Sequence, residues 1–199
     1  MKKLILGVAM SLLLAGGAHA TSIGYAKSTI NRIYTFKLGD TTQQGQAIRL
    51  SKAKLQAMKG KTIDFAEFVT GSKNTTDGNI HTFITTSLGG TPLVEGSVKL
   101  EKALTWCKWT LDQPYTITGE EENLYIGYTA DIKTSYKLLI ADGSYDIEGY
   151  NFAYQDGKWV DTYGMNKGSA QIRVNVEGVA DYPDVIMASN SFDSYFKVG

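Results

Sequence analysis

Cysteine and histidine are nearly missing from this chain. Cys107 is the only cysteine, so no disulfide can form within the chain and burial of apolar surface must supply most of its stability. The two histidines are His19, in a leader described below, and His81. Zinc sites built from His and Cys, the HExxH site and a Ser-His-Asp triad on a GxSxG turn all lack their parts. A Cys-His nucleophile would have to pair Cys107 with His81. Cys107 lies between Trp106 and Trp109 in a strand-like run, which reads as inert packing. A basic excess is missing too: 20 Lys and Arg balance 20 Asp and Glu, and removal of Lys2 and Lys3 with the leader tips the balance to about −2. Without a basic stripe, nucleic acid is not an expected partner. Paired carboxylates of the kind that hydrolyse glycosides are not placed at a working separation by sequence, so no catalytic residue is assigned.

Long apolar runs are scarce as well. The single one, Leu4 to Leu14, follows Lys2 and Lys3 and precedes Ala18-His19-Ala20. That order reads as a secretory signal peptide over residues 1–20, cleaved before Thr21. It is too short to span a bilayer, and no second run of about 18 apolar residues follows, so no membrane insertion is expected after cleavage. Positions 21 and 22 are Thr and Ser, which does not suit a lipoprotein anchor. The expected location is the medium or the outer cell surface, with the periplasm as the alternative.

What remains is written in strands. Ala170, Ile172, Val174 and Val176 alternate with Gln171, Arg173, Asn175 and Glu177, the period of a strand with one buried face. From Lys61 to Val69 the apolar set changes sides near Ala66, which predicts a bulge or a strand covered on both faces. Ile80–Ser87 and Leu93–Leu100 flank Leu88-Gly89-Gly90-Thr91-Pro92 as a hairpin. Further strand runs are 104–111, 115–118, 124–129, 135–140 and 150–154. One helix is expected over 52–59, capped by Ser51, with Leu55 and Met58 on one face and Gly60 as its left-handed terminator. The fold class is all-β: a two-sheet antiparallel β-sandwich, jelly-roll-like, with one short helix.

Five strings in order support a closer comparison: QAIRLSKAKLQAMKGKTI (46–63), FITTSLGGTPLVE (83–95), WTLDQPYTITGEEENLYIGY (109–128), DGKW (156–159) and AQIRVNVEG (170–178). Their order and spacing resemble a β-sandwich module of large secreted proteins from Bacteroidetes-type anaerobes. That module is similar to the cleaved-adhesin jelly rolls of gingipain-type haemagglutinins. The resemblance spans about residues 23–178. It implies an adhesin-like domain over 21–180 and, from the closing YFKVG, a linker or the start of an immunoglobulin-like module over 181–199. It further implies a non-catalytic accessory or adhesive role, with host proteins, haem proteins or glycans bound by some members and calcium by several.

The calcium candidates that follow from this resemblance are Asp142, Asp146, Glu148 and Asp156. Hard oxygen ligands suit Ca²⁺, but the loop lacks a DxDxDG frame and reads as a polar turn, so no metal residue and no cofactor are assigned. Asp40-Thr41-Thr42 resembles an O-glycosylation acceptor of such bacteria. Glu120 to Glu122 reads as a solvated turn. Among the tryptophans, Trp109 shares its face with Leu111 and reads as core, Trp106 has the opposite parity, and Trp159 follows a turn at a position that the resemblance implies is structural. Binding residues are therefore unassigned. Three functions follow in order: an exported adhesion or ligand-binding module for a host or surface protein or glycan, a structural spacer appended to a secreted enzyme, and, far behind, a carboxylate-based glycosidase.

Overall fold

The computed structural model describes residues 21–25, 34–35, 42–132, 137–142, 147–155, 157–165 and 168–177. The expected signal peptide over 1–20, Asp40 and Thr41, Asp146, Asp156 and the segment 181–199 lie outside the described residues. In chain order the elements are β1 (Thr21–Gly24), β2 (Tyr34–Thr35), β3 (Gln43–Ser51), α1 (Lys52–Ala57), β4 (Thr62–Val69), β5 (Asn79–Thr85), β6 (Val94–Lys99), β7 (Trp106–Thr116), β8 (Asn123–Asp131), β9 (Ile140–Ala141), β10 (Asn151–Gln155), β11 (Lys158–Asp161) and β12 (Ile172–Val176).

Two antiparallel sheets make the sandwich. One has the order β1-β12-β4-β7, the other β11-β10-β3-β8-β5-β6, and β2 pairs with β9 in a small ribbon. The pairs β1 with β12, β3 with β8, β4 with β7 and β5 with β6 nest inside one another along the chain. Nested pairing of eight strands across two sheets is the jelly-roll arrangement. The β10–β11 hairpin is inserted between β8 and β12 and widens the six-stranded sheet at the edge of β3.

The core follows from the period of two. Ile48, Leu50, Ile80, Ile84, Leu124, Ile126 and Tyr128 of one sheet face Ala66, Phe68, Trp109, Leu111, Ile172 and Val174 of the other. The Phe68 and Tyr128 rings meet edge to face at 5.5 Å across the interior. In β4 the change of side is a bulge, as the pattern predicts, but it falls at Asp64 rather than near Ala66: Ile63 pairs with Val176 and Phe65 with Asn175. The extra residue turns Phe65 outward, under the Lys108 ammonium 3.6 Å from its ring centre, and keeps Ile63, Ala66 and Phe68 inside.

Several expectations are corrected. The runs 104–111 and 115–118 are one strand, β7, which carries Pro114 on a sheet edge where a missing N–H costs no ladder bond. Of the run 135–140, only Ile140 is in a described strand. Strand β3 is central yet gives no apolar alternation, because its inward side chains include Gln44 and Gln46. Gln46 Nε2 donates to the Ile140 carbonyl at 2.9 Å, and its Oε1 accepts from the Tyr128 hydroxyl at 3.0 Å and the Ile140 N–H at 3.3 Å. Gln44 Oε1 accepts from the Leu138 N–H at 2.9 Å. Two side-chain amides thus stand in for a ladder and hold residues 138–140 against β3.

Helix α1 follows β3 directly. Ser51 is extended at the N-cap but its side chain makes no capping bond, and Gly60 takes the left-handed turn after the helix (φ +80°). Beside the buried Leu55, Lys54 is buried too: its Nζ donates to the Tyr25 hydroxyl at 2.8 Å and lies 4.3 and 4.7 Å from the Tyr25 and Tyr150 ring centres. The acidic run is more than a solvated turn. Glu120 and Glu122 pair with Lys59 and Lys52 of the helix region, while Glu121 accepts from the Thr118 N–H (2.9 Å), the Gly119 N–H (2.8 Å) and the Tyr115 hydroxyl (2.8 Å). Burial raises the Glu121 carboxyl, but these hydrogen bonds outweigh it and hold its pKa down at about 2.

Two measurements check this account. Gln46→Leu keeps the volume but strands the Ile140 backbone groups and the Tyr128 hydroxyl, so urea unfolding should show a loss of about 2–4 kcal/mol; a change below about 0.5 kcal/mol would mean that the amide ladder is dispensable. Because Glu121 has a folded pKa below its ordinary 4.5, its contribution is complete above that pH and disappears as pH falls toward about 2. Glu121→Gln should therefore melt lower than the parent at pH 7, with the two midpoints converging between pH 4.5 and about 2. A gap constant across that window contradicts the assignment.

Candidate functional site

Alternation decides which side chains of the six-stranded sheet face away from the core. The register gives three rows across its outer surface. One runs Asp161, Phe152, Ala47, Gly127, Phe83, Glu95; the next runs Trp159, Tyr154, Gly45, Thr129, His81, Ser97; a shorter one holds Arg49, Tyr125 and Thr85. Beyond the second row, Gln43 sits opposite Asp131. Small residues occupy the middle strands and aromatic residues flank them.

The inserted hairpin inverts the usual preference. In β10, Ala153 and Asn151 are buried inside while Phe152 and Tyr154 stand outside, half-buried. In β11, Val160 packs on the core and Trp159 lies outside it. Asn151 earns its inner place through its Oδ1, which accepts from the Ala170 N–H at 3.0 Å. Large aromatic side chains turned outward from a strand whose small residues face the core are not explained by core packing.

These rings touch one another. Trp159 meets Phe83 at 5.6 Å and Tyr154 at 5.3 Å between centroids, and Tyr125 meets Phe152 at 5.5 Å. Trp159 and Phe83 belong to strands four positions apart in the sheet, roughly 19 Å on a flat sheet, so both side chains lie inward over the intervening strands. Gly127 makes this feasible: a Cβ there would come within 2.8 Å of the Phe83 ring and 2.4 Å of the Gln46 carbonyl. The outcome is an aromatic surface of five rings over a floor of Gly45, Ala47 and Gly127.

At one end of it lies a shallow recess of about 220 Å³ lined by Gln43, His81, Thr129, Ala130, Asp131 and Tyr154. Gln43 Nε2 donates to Asp131 Oδ1 at 2.9 Å, and His81 Nε2 lies 3.1 Å from Asp77 Oδ2. The hydrogen bond from the Asn79 N–H is the main influence lowering the Asp77 pKa. Tyr154 joins this recess to Trp159.

The residues singled out from the sequence are dispersed. Cys107 points inward from β7, donating to the Phe68 carbonyl at 3.2 Å, and burial pushes its thiol up to about 11. His81 is on the outer surface of the opposite sheet, so no Cys-His pair forms. Of the calcium candidates, Asp142 is buried and accepts the Ser169 N–H at 3.0 Å, and Glu148 is exposed. Trp109 is in the core, as its parity with Leu111 predicts. Trp106 is half-exposed on the outside of the four-stranded sheet, with the Arg173 guanidinium 4.2 Å from its ring centre and Arg173 bonded to Glu67 at 2.6 Å. Trp159 is not a residue of the interior. Sequence reasoning missed the group Phe83, Tyr125, Phe152 and Tyr154; the available signal was Phe-Ala-Tyr in β10, where the small residue sits between two large ones.

No protein-family model and no curated protein matches this chain. The adhesin-like resemblance rests on its short strings alone.

A buried thiol with a raised pKa should be slow to alkylate. Iodoacetamide at pH 8 should modify Cys107 at least about tenfold more slowly in the folded protein than in denaturant. Equal rates would mark an activated, accessible thiolate.

Proposed function

We propose that this chain is an exported, non-catalytic ligand-binding β-sandwich module of the adhesin-like kind, and that its binding surface is the aromatic outer face of the six-stranded sheet. The carrying observation is the inverted hairpin, which places Phe152, Tyr154 and Trp159 outside and Ala153 and Val160 inside. Half-buried aromatic residues gathered on one face present apolar area with polar edges, the usual composition of a recognition surface. Glycans fit this composition: the C–H faces of a pyranose ring lie on aromatic rings, and its hydroxyls reach polar groups at the rim. Here the rim is supplied by Gln43, Thr129, His81 and Asp131. The leader-like residues 1–20 support export to the medium or the cell surface.

Trp159→Ala separates this reading from that of a spacer. The variant should keep its β-rich circular dichroism and melt cooperatively, yet lose at least about tenfold in affinity on a glycan array. Loss of folding would make Trp159 a structural residue, and the double variant Phe152→Ser/Tyr154→Ser would then report on binding through the same face. A folded wild-type protein that captures proteins but no glycan overturns the glycan assignment; one that captures neither is a spacer.

A further inference from the structure

Resting on that glycan reading, we infer that the recess beside Tyr154 is a subsite for one neutral pyranose ring, the end of a chain whose neighbouring rings lie on Trp159 and Phe83. Four observations lead there.

The first is size. At about 220 Å³ the recess is below the roughly 300–1,000 Å³ of pockets that enclose drug-sized ligands, and it accommodates a single ring rather than an oligosaccharide. The second is continuity. Tyr154 lines the recess and also packs on Trp159, which in turn packs on Phe83, so the ring platform runs directly into the polar end.

The third is the donor and acceptor set. A sugar hydroxyl both donates and accepts, and vicinal hydroxyls are best matched by a carboxylate beside an amide. Gln43 and Asp131 form that pair on adjacent strands, held together by their own 2.9 Å bond. Thr129 and His81 face each other across the next pair of strands and add a hydroxyl and an imidazole. His81 Nε2 faces Asp77 Oδ2 at 3.1 Å, which orients the imidazole at the rim of the recess.

The fourth is charge. Asp131 lines the recess and Asp77 stands behind His81. No lysine or arginine is among the lining residues, and the imidazole already faces the Asp77 carboxylate at 3.1 Å. A uronic acid or sulfated sugar would bring a further negative charge beside Asp131, where like charges repel. Neutral sugars carry no such penalty.

The test is isothermal titration of the folded chain with neutral gluco-, galacto- and manno-oligosaccharides and with matched uronic-acid and sulfated oligosaccharides. The parent should bind a neutral oligosaccharide, and its acidic counterpart at least tenfold more weakly. Gln43→Ala and Asp131→Ala alter exposed side chains, should keep the parental melting midpoint, and should each weaken binding about tenfold, while Trp159→Ala abolishes it. Unchanged affinity in both recess variants, with binding still lost in Trp159→Ala, overturns the subsite and leaves the aromatic platform standing. Tighter binding of acidic than of neutral sugars overturns the charge argument and the subsite with it. Binding of no oligosaccharide by the parent overturns both the subsite and the glycan reading.

Discussion

The nine-residue pairing of β3 with β8, from Gln43 opposite Asp131 to Ser51 opposite Asn123, sets the register of everything around it. β3 is hydrogen-bonded to β8 on one side and β10 on the other, so its alternation fixes which residues of both neighbours point inward. A slip of one residue would exchange the two faces of the sheet. Ile48 and Leu50 would leave the core, and Ala47 and Arg49 would enter it. The polar inner residues of β3 reinforce the register, because Gln44 and Gln46 meet the backbone of residues 138–140 only in this alignment.

That same register produces the outer face. Once Gln46, Ile48 and Leu50 are inside, Gly45 and Ala47 are outside, opposite Thr129 and Gly127. The middle of the sheet is thereby left low, and rings from the flanking strands close over it. The inserted hairpin supplies three of the five rings, and the jelly-roll strands β5 and β8 supply Phe83 and Tyr125. The proposed binding face thus joins an addition to the fold with the outward side chains of the nested strands β3, β5 and β8, whose inward side chains form the core.

Much of the architecture was legible because strands with one buried face carry their period openly. The β5–β6 hairpin, the strand at Ile172–Val176, the short helix and the bulge in β4 all follow from spacing and turn residues. Strand β3 was not, since its buried glutamines are satisfied by a segment some 94 positions away that no local pattern reveals. The join of two runs into β7 was hidden for a similar reason: Pro114 marks a break in isolation but is tolerated on an edge.

The candidate site was the least legible part. Trp159 could be singled out as an aromatic after a turn, but its neighbours Phe83 and Tyr154 come together only through register across several strands. By itself the sequence determined the all-β class, the scarcity of nucleophile and metal-ligand chemistry, and the leader-like start, because composition and local periodicity carry those directly. Only the tertiary structure decided which face of β10 and β11 would be buried. Either set of side chains could line a core, and the choice belongs to the register against β3, which sets Ala153, and Val160 beyond it, in line with the inward Gln46, and Phe152, Tyr154 and Trp159 in line with the outward Ala47 and Gly45.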